Sequence, residues 1–224
     1  MKTLILHSCQ ITAKKQLDKE LIKLIDPASA KIGYIPSESD VKRQYYQLLQ
    51  AWYEQFGYSD FLYFDLDREY DESLTNDLFS CQIIHLSGGN TYYFLDSLIK
   101  RNFLTKIQTF VDSGGILVGV SAGSILMSKH IKICQFFDEN EVELKDQQAL
   151  NLVDFEFYPH YERNNPEIKA KLVKYSRRTQ NIIYACEDGD GIIINNGKTQ
   201  FIGDMFQFRK GKLTEIYRDK QAEN

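Results

Sequence analysis

The chain has 224 residues, 43% hydrophobic and 26% charged, which suits one domain spanning 1–224 with enough apolar material for a full core. Twenty-seven Lys and Arg against 31 Asp and Glu give a formal charge of -4, and no basic block stands ready to neutralise a run of phosphates, so nucleic acid is a poor partner. No apolar run approaches the roughly 20 residues that cross a bilayer, the opening segment turns polar too soon for a signal peptide, and Cys9, Cys81, Cys134 and Cys186 lack pair or metal spacing, which together point to a soluble protein of the reducing cytoplasm.

In chain order, short apolar runs alternate with longer amphipathic stretches, the signature of a parallel sheet covered by helices. Strands are expected at 3–7, 31–35, 61–64, 83–87 and 116–120, each apolar enough to be buried on both faces. Helices are expected at 14–24, 41–55, 91–100 and 104–111, with Gly114-Gly115 breaking the last from its strand. The stretch 138–146 is acidic and reads as a solvated loop. Beyond about residue 150 the pattern becomes short strands, with hairpin signals at Asn196-Gly197 and Lys210-Gly211 and one helix over 166–177 that Pro166 opens. This end is expected to extend the sheet with antiparallel strands.

The segment Gly119-Val120-Ser121-Ala122-Gly123 sits between a buried strand and a helix-compatible stretch, 122–128. A serine hydroxyl is a weak nucleophile and needs exposure at a tight turn, an adjacent base and donors for an oxyanion. A Gly-x-Ser-x-Gly turn from strand to helix meets the first need, and the Ala122 N–H, at the positive end of the helix, is the natural first oxyanion donor. A second turn, Ser87-Gly88-Gly89-Asn90-Thr91, falls at the same carboxyl edge of the sheet, where Gly89 can offer an unhindered N–H. It lacks the spacing and the lysine of a phosphate cradle.

Four histidines are available as the base. His7 and His85 lie within strands and His130 follows a helix, so each reads as an ordinary hydrogen-bonded imidazole. His160 instead ends the run Leu152-Val153-Asp154-Phe155-Glu156-Phe157-Tyr158-Pro159 and enters a polar loop, where a sheet end can present it to Ser121. The turn Cys186-Glu187-Asp188-Gly189-Asp190-Gly191 offers three carboxylates to fix its tautomer.

Four segments in this order and spacing, Ser87-Gly88-Gly89-Asn90-Thr91, Gly119-Val120-Ser121-Ala122-Gly123, Pro159-His160-Tyr161 and Glu187-Asp188-Gly189, resemble the dipeptidase E (aspartyl dipeptidase) family of serine peptidases, which also includes cyanophycinase. The resemblance implies a three-layer α/β sandwich related to the class I glutamine amidotransferases, flavodoxin-like, with a mostly parallel central sheet. It implies Ser121 as nucleophile, His160 as base, and Gly89 and Ala122 as oxyanion donors, with a small peptide as substrate and no metal or organic cofactor. The acid following the histidine excludes the α/β-hydrolase order, and a serine rather than a cysteine at the elbow argues against amidotransferase chemistry. For the third member the resemblance favours Asp188, with Glu187 and then Asp138 as alternatives; Glu162 lies close enough in sequence to help orient His160. Asn90 and Arg163 are the candidate substrate contacts.

One departure bears on substrate. The family's Thr-Arg-x-x-Arg-Ile stretch, which suits an acidic substrate residue, is replaced here by Asn164-Asn165-Pro166-Glu167-Ile168-Lys169, with Arg163 the one arginine beside it. The resemblance implies small peptides, an N-terminal Asp among them, and the missing arginine stretch weakens the expectation of aspartyl specificity. A cyanophycinase-like isopeptidase and a non-catalytic ligand-binding protein remain the alternatives, in a monomer or homodimer.

Overall fold

The computed structural model describes residues 2–216. Its centre is a seven-stranded sheet in the order β3-β2-β4-β5-β1-β8-β9, formed by β1 (Thr3–His7), β2 (Lys31–Ile35), β3 (Asp60–Tyr63), β4 (Ile83–Leu86), β5 (Ile116–Val120), β8 (Gly191–Asn195) and β9 (Lys198–Ile202). The first five run parallel, and β8 and β9 add to β1 in antiparallel register. This is a mixed α/β sandwich of the flavodoxin-like, class I glutamine amidotransferase type.

Side-chain alternation sends successive strand residues to opposite faces. Ile5 packs with Leu17 and Leu21 of α1 (Gln16–Leu24) and with Leu49 and Tyr53 of α2 (Gln44–Glu54). Leu4 and Leu6 face the other layer, with residues of α3 (Thr75–Ser80), α4 (Thr91–Lys100), α5 (Phe103–Asp112) and α6 (Ala122–Ile125). Strand β3 departs from the expectation of burial on both faces because it is the sheet's edge, and its residues are half-buried or exposed.

Helix α2 begins three residues later than its apolar pattern suggests. Arg43 sits in the left-handed region, φ 57°, and the Asp40 carboxylate accepts the N–H groups of Gln44 and Tyr46, so the chain turns before the helix starts. The turn leaves Val41 exposed.

The C-terminal end corrects the expectation of a single extended sheet. Only β8 and β9 join the central sheet; β6 (Phe155–Tyr158), β7 (Ile182–Cys186), β10 (Met205–Arg209) and β11 (Lys212–Ile216) form a second sheet in the order β11-β10-β7-β6. Within it β6 and β7 are parallel, because α7 (Pro166–Tyr175) carries the chain back between them as a crossover. Hairpins turn at Asn196-Gly197 and Lys210-Gly211 as the residues there suggest. Parallel pairing of β6 and β7 places their carboxyl ends side by side, and the residues that follow them meet at the edge of the central sheet. Among the described residues, no helix is long and apolar enough to cross a membrane.

Candidate active site

Ser121 is the residue between β5 and α6, held at φ 50°, ψ -109°, a conformation that L-residues avoid. The turn is rigid because it is tightly packed. The Ser121 N–H donates to the His7 carbonyl at 3.0 Å, the Gly123 N–H to the Ser87 carbonyl at 3.0 Å, and a Cβ on Gly123 would come within 2.3 Å of the Leu86 carbonyl oxygen. Only glycine lets the helix start lie this close to β4, and the close approach drives the serine side chain outward.

His160 reaches Ser121 from the second sheet. It follows β6 at φ 54°, with Nε2 2.8 Å from Ser121 Oγ and Nδ1 2.6 Å from Asp188 Oδ1. Asp188 follows β7, and the Tyr161 N–H donates to the Cys186 carbonyl at 3.0 Å, so the two loops stay in step. Both side chains are about half exposed, 45% for His160 and 54% for Asp188. The structure thus brings Ser121, His160 and Asp188 into one hydrogen-bonded line with Nδ1 facing the carboxylate. That geometry allows proton transfer from the serine hydroxyl to Nε2.

Gly89 and Ala122 supply N–H groups that have no acceptor among the described residues. Gly89 has φ 133° and lies against Ser37, where a Cβ would overlap the hydroxyl, so glycine is required there on two counts. The turn beside it is tied by the Ser37 N–H donating to Ser87 Oγ at 2.7 Å.

The remaining sequence candidates have other work. Glu187 forms a two-point pair with Arg163, whose guanidinium also donates to Asp204 at 2.7 Å, so neither group touches His160 and Arg163 is not a free surface cation. Those two carboxylates raise the guanidinium's already high pKa further. Asp138 is not a solvated loop residue: its carboxylate accepts from both the N–H and hydroxyl of Thr91 at the start of α4. The Asn90 side chain caps the same helix through Tyr93 N–H and donates to the Glu139 carbonyl. Glu162 accepts from Asn165 rather than from His160.

Ser8 is the residue that the sequence reading missed. Fully buried at the carboxyl end of β1, its hydroxyl accepts the His160 N–H at 2.7 Å and lies 3.1 Å from Asp188 Oδ1 and 3.3 Å from the Cys186 carbonyl. Its place at the same sheet edge as the two glycine turns was the available signal. Beside Ser121 opens a cleft of about 540 Å³, bounded by Gly88, Gly89 and Val120 on one side and by the 36–40 loop and α2 on the other. His85 lies at its wall, accepting or donating at Nδ1 to the Tyr53 hydroxyl at 3.0 Å, and burial drops its pKa to about 3. Among the described residues no cluster of three or more His, Cys, Asp or Glu side chains could hold a metal ion.

The chain is similar to known peptidases. The sequence model of peptidase family S51 matches residues 4–202. "Uncharacterized peptidase PM1590" of Pasteurella multocida (strain Pm70) is 30% identical over 173 residues, covering 74% of this chain and 81% of that one. "Peptidase E" of Escherichia coli O1:K1 / APEC is 27% identical over 145 residues, 59% of this chain and 61% of that one. A crystal structure of a candidate peptidase E protein from Listeria monocytogenes EGD-e superposes with a TM-score of 0.75 at 26% identity, over 90% of this chain and 98% of that one.

Proposed function

Because the chain belongs to peptidase family S51, a family of serine-type peptidases, we propose that Ser121, His160 and Asp188 hydrolyse small peptides through a covalent acyl-enzyme. The observation that carries this is the continuous line from Ser121 Oγ through both ring nitrogens of His160 to Asp188, with links of 2.8 and 2.6 Å.

His160 Nε2 takes the hydroxyl proton as Ser121 Oγ attacks the peptide carbonyl carbon, and Asp188 stabilises the resulting imidazolium. The oxyanion is held by the N–H groups of Gly89 and Ala122. Collapse of the tetrahedral intermediate breaks the C–N bond, with the Nε2 proton going to the leaving amine. A water molecule, deprotonated by the same nitrogen, then attacks the ester and releases the acid and free Ser121. Ser8 acts on none of these atoms directly; it holds the His160 backbone and the Asp188 carboxylate in register. A reducing, cytoplasmic setting fits the four free cysteines, three of them buried.

The test is labelling and turnover together. A fluorophosphonate should attach to Ser121, and Ser121→Ala and His160→Ala should each abolish both labelling and peptide hydrolysis while melting at temperatures close to the parent's. Full hydrolysis by Ser121→Ala would refute the assignment.

A further inference from the structure

We infer that the cleft beside Ser121 is an acyl-side specificity pocket for a bulky apolar side chain, and that the preferred N-terminal residue is leucine- or phenylalanine-like rather than aspartate. The inference rests on the peptidase reading of Ser121.

Direction comes first. At the tetrahedral carbon the oxyanion points to Gly89 and Ala122, and the leaving nitrogen must face His160 Nε2 to receive its proton. The acyl residue lies on the side of the carbonyl carbon opposite the leaving nitrogen. The cleft opens next to Ser121 at Gly88, Gly89 and Val120, and neither His160 nor Asp188 borders it, so it lies off the leaving-group side. It is therefore placed for the residue whose carbonyl is attacked.

Chemistry comes second. Five large hydrophobic side chains are conspicuously exposed among the described residues, and three of them, Ile11 (49%), Tyr45 (71%) and Leu48 (57%), line this one cleft. Tyr45, Leu48 and Leu49 follow the i, i+3, i+4 spacing of one face of α2, so the apolar wall is built into a helix rather than a mobile loop. Exposed apolar surface gathered around a concave site is surface that a ligand covers.

Charge comes third. Among the described residues no lysine or arginine borders the cleft; its carboxylates are Glu38 and Asp40, and its imidazole, His85, is held neutral by burial. An aspartate side chain would meet two carboxylates and no cation. Arg163, the other conceivable partner, is already paired with Glu187 and Asp204. A carboxylate in a partly desolvated site is stabilised by an unspent cation, and the described residues of this site present none.

The experiment uses the full chain and three aminoboronic acids, the analogues of leucine, phenylalanine and aspartate, as competitors of fluorophosphonate labelling at Ser121. The leucine and phenylalanine analogues are expected to protect about 50-fold more strongly than the aspartate analogue. The corresponding aminoacyl p-nitroanilides should follow the same order in kcat/KM. Leu48→Arg, at a side chain already exposed and thus without consequence for the core, should narrow the preference by about tenfold. Equal or stronger protection by the aspartate analogue, or protection by none of the three, overturns the pocket while leaving the nucleophile standing. Failure of the parent protein to label at Ser121 overturns the peptidase reading, and the pocket with it.

Discussion

Exchanging Asp188 for asparagine tests how much the acid contributes in the proposed triad, which is open to solvent. The carboxylate accepts from His160 Nδ1 at 2.6 Å and lies 3.1 Å from the Ser8 hydroxyl, both at the same oxygen. An asparagine oxygen can take that place, with Ser8 fixing its orientation, so the His160 tautomer is retained and the change removes charge alone. Unit charges about 4 Å apart attract by about 1 kcal/mol in water and about 4 kcal/mol at an effective dielectric of 20. With side chains 54% and 45% exposed, the pair falls between these limits. A loss of about 2 kcal/mol in stabilising the imidazolium corresponds to about 30-fold in kcat. In a closed triad the same exchange costs about 10⁴-fold. The assay is steady-state hydrolysis of one peptide by the parent and Asp188→Asn, with Ser121→Ala as the floor and a melting curve as the folding control. Raising salt to 1 M should shrink the difference, since screening then acts within about 3 Å. A loss beyond about 10³-fold would refute the argument from exposure, and a loss below about threefold would show that another carboxylate does the work.

Ser8→Ala should lower kcat about tenfold with KM nearly unchanged, because the His160 N–H loses its acceptor and the ring its register; Ser8→Cys, with a polar atom in the same place, should recover part of the loss in the same kinetic assay. Gly123→Ala forces a Cβ against the Leu86 carbonyl, so a drop of about 2 kcal/mol or more in denaturant stability is expected, along with lost labelling at Ser121. His85 has its pKa depressed to about 3 from the ordinary 6.5, so the unfolded chain binds a proton that the folded chain refuses. Stability must then fall as pH drops below 6.5, by about 2 kcal/mol at pH 5, and buried His7 acts in the same direction. Denaturant titrations at pH 7.5 and 5 should show a smaller loss in His85→Gln than in the parent.

The parts of the site that were legible in the sequence are those written in consecutive residues. The elbow at Ser121 and the glycine turn at Gly89 declare themselves through local backbone needs, and His160 through its place at a strand end. The third member was not legible in the same way: Glu187, Asp188 and Asp138 are chemically equivalent in a string of letters, and distance alone separates them. Their true partners, Arg163, His160 and Thr91, lie 24, 28 and 47 positions away. The second sheet escaped for a related reason. The helix expected at 166–177 was visible, but its consequence, that β6 and β7 must run parallel, depends on their being neighbours, which no local pattern states. Arg43 illustrates a smaller failure, where periodicity continues across a residue whose backbone has left the helix.

The backbone of Ser121 carries a consequence that reaches into the protein's history. A residue at φ 50°, ψ -109° opposes folding by about 1–3 kcal/mol unless it is glycine. Ser121→Gly should therefore raise the stability of the chain, by about 1 kcal/mol after the extra freedom glycine has when unfolded. Two of the six serine codons reach glycine by a single base change, and a chain maintained only to stay folded, or to bind peptides without cleaving them, would drift towards it. Under the proposed mechanism, position 121 is thus a place where the demands of folding and of turnover pull in opposite directions.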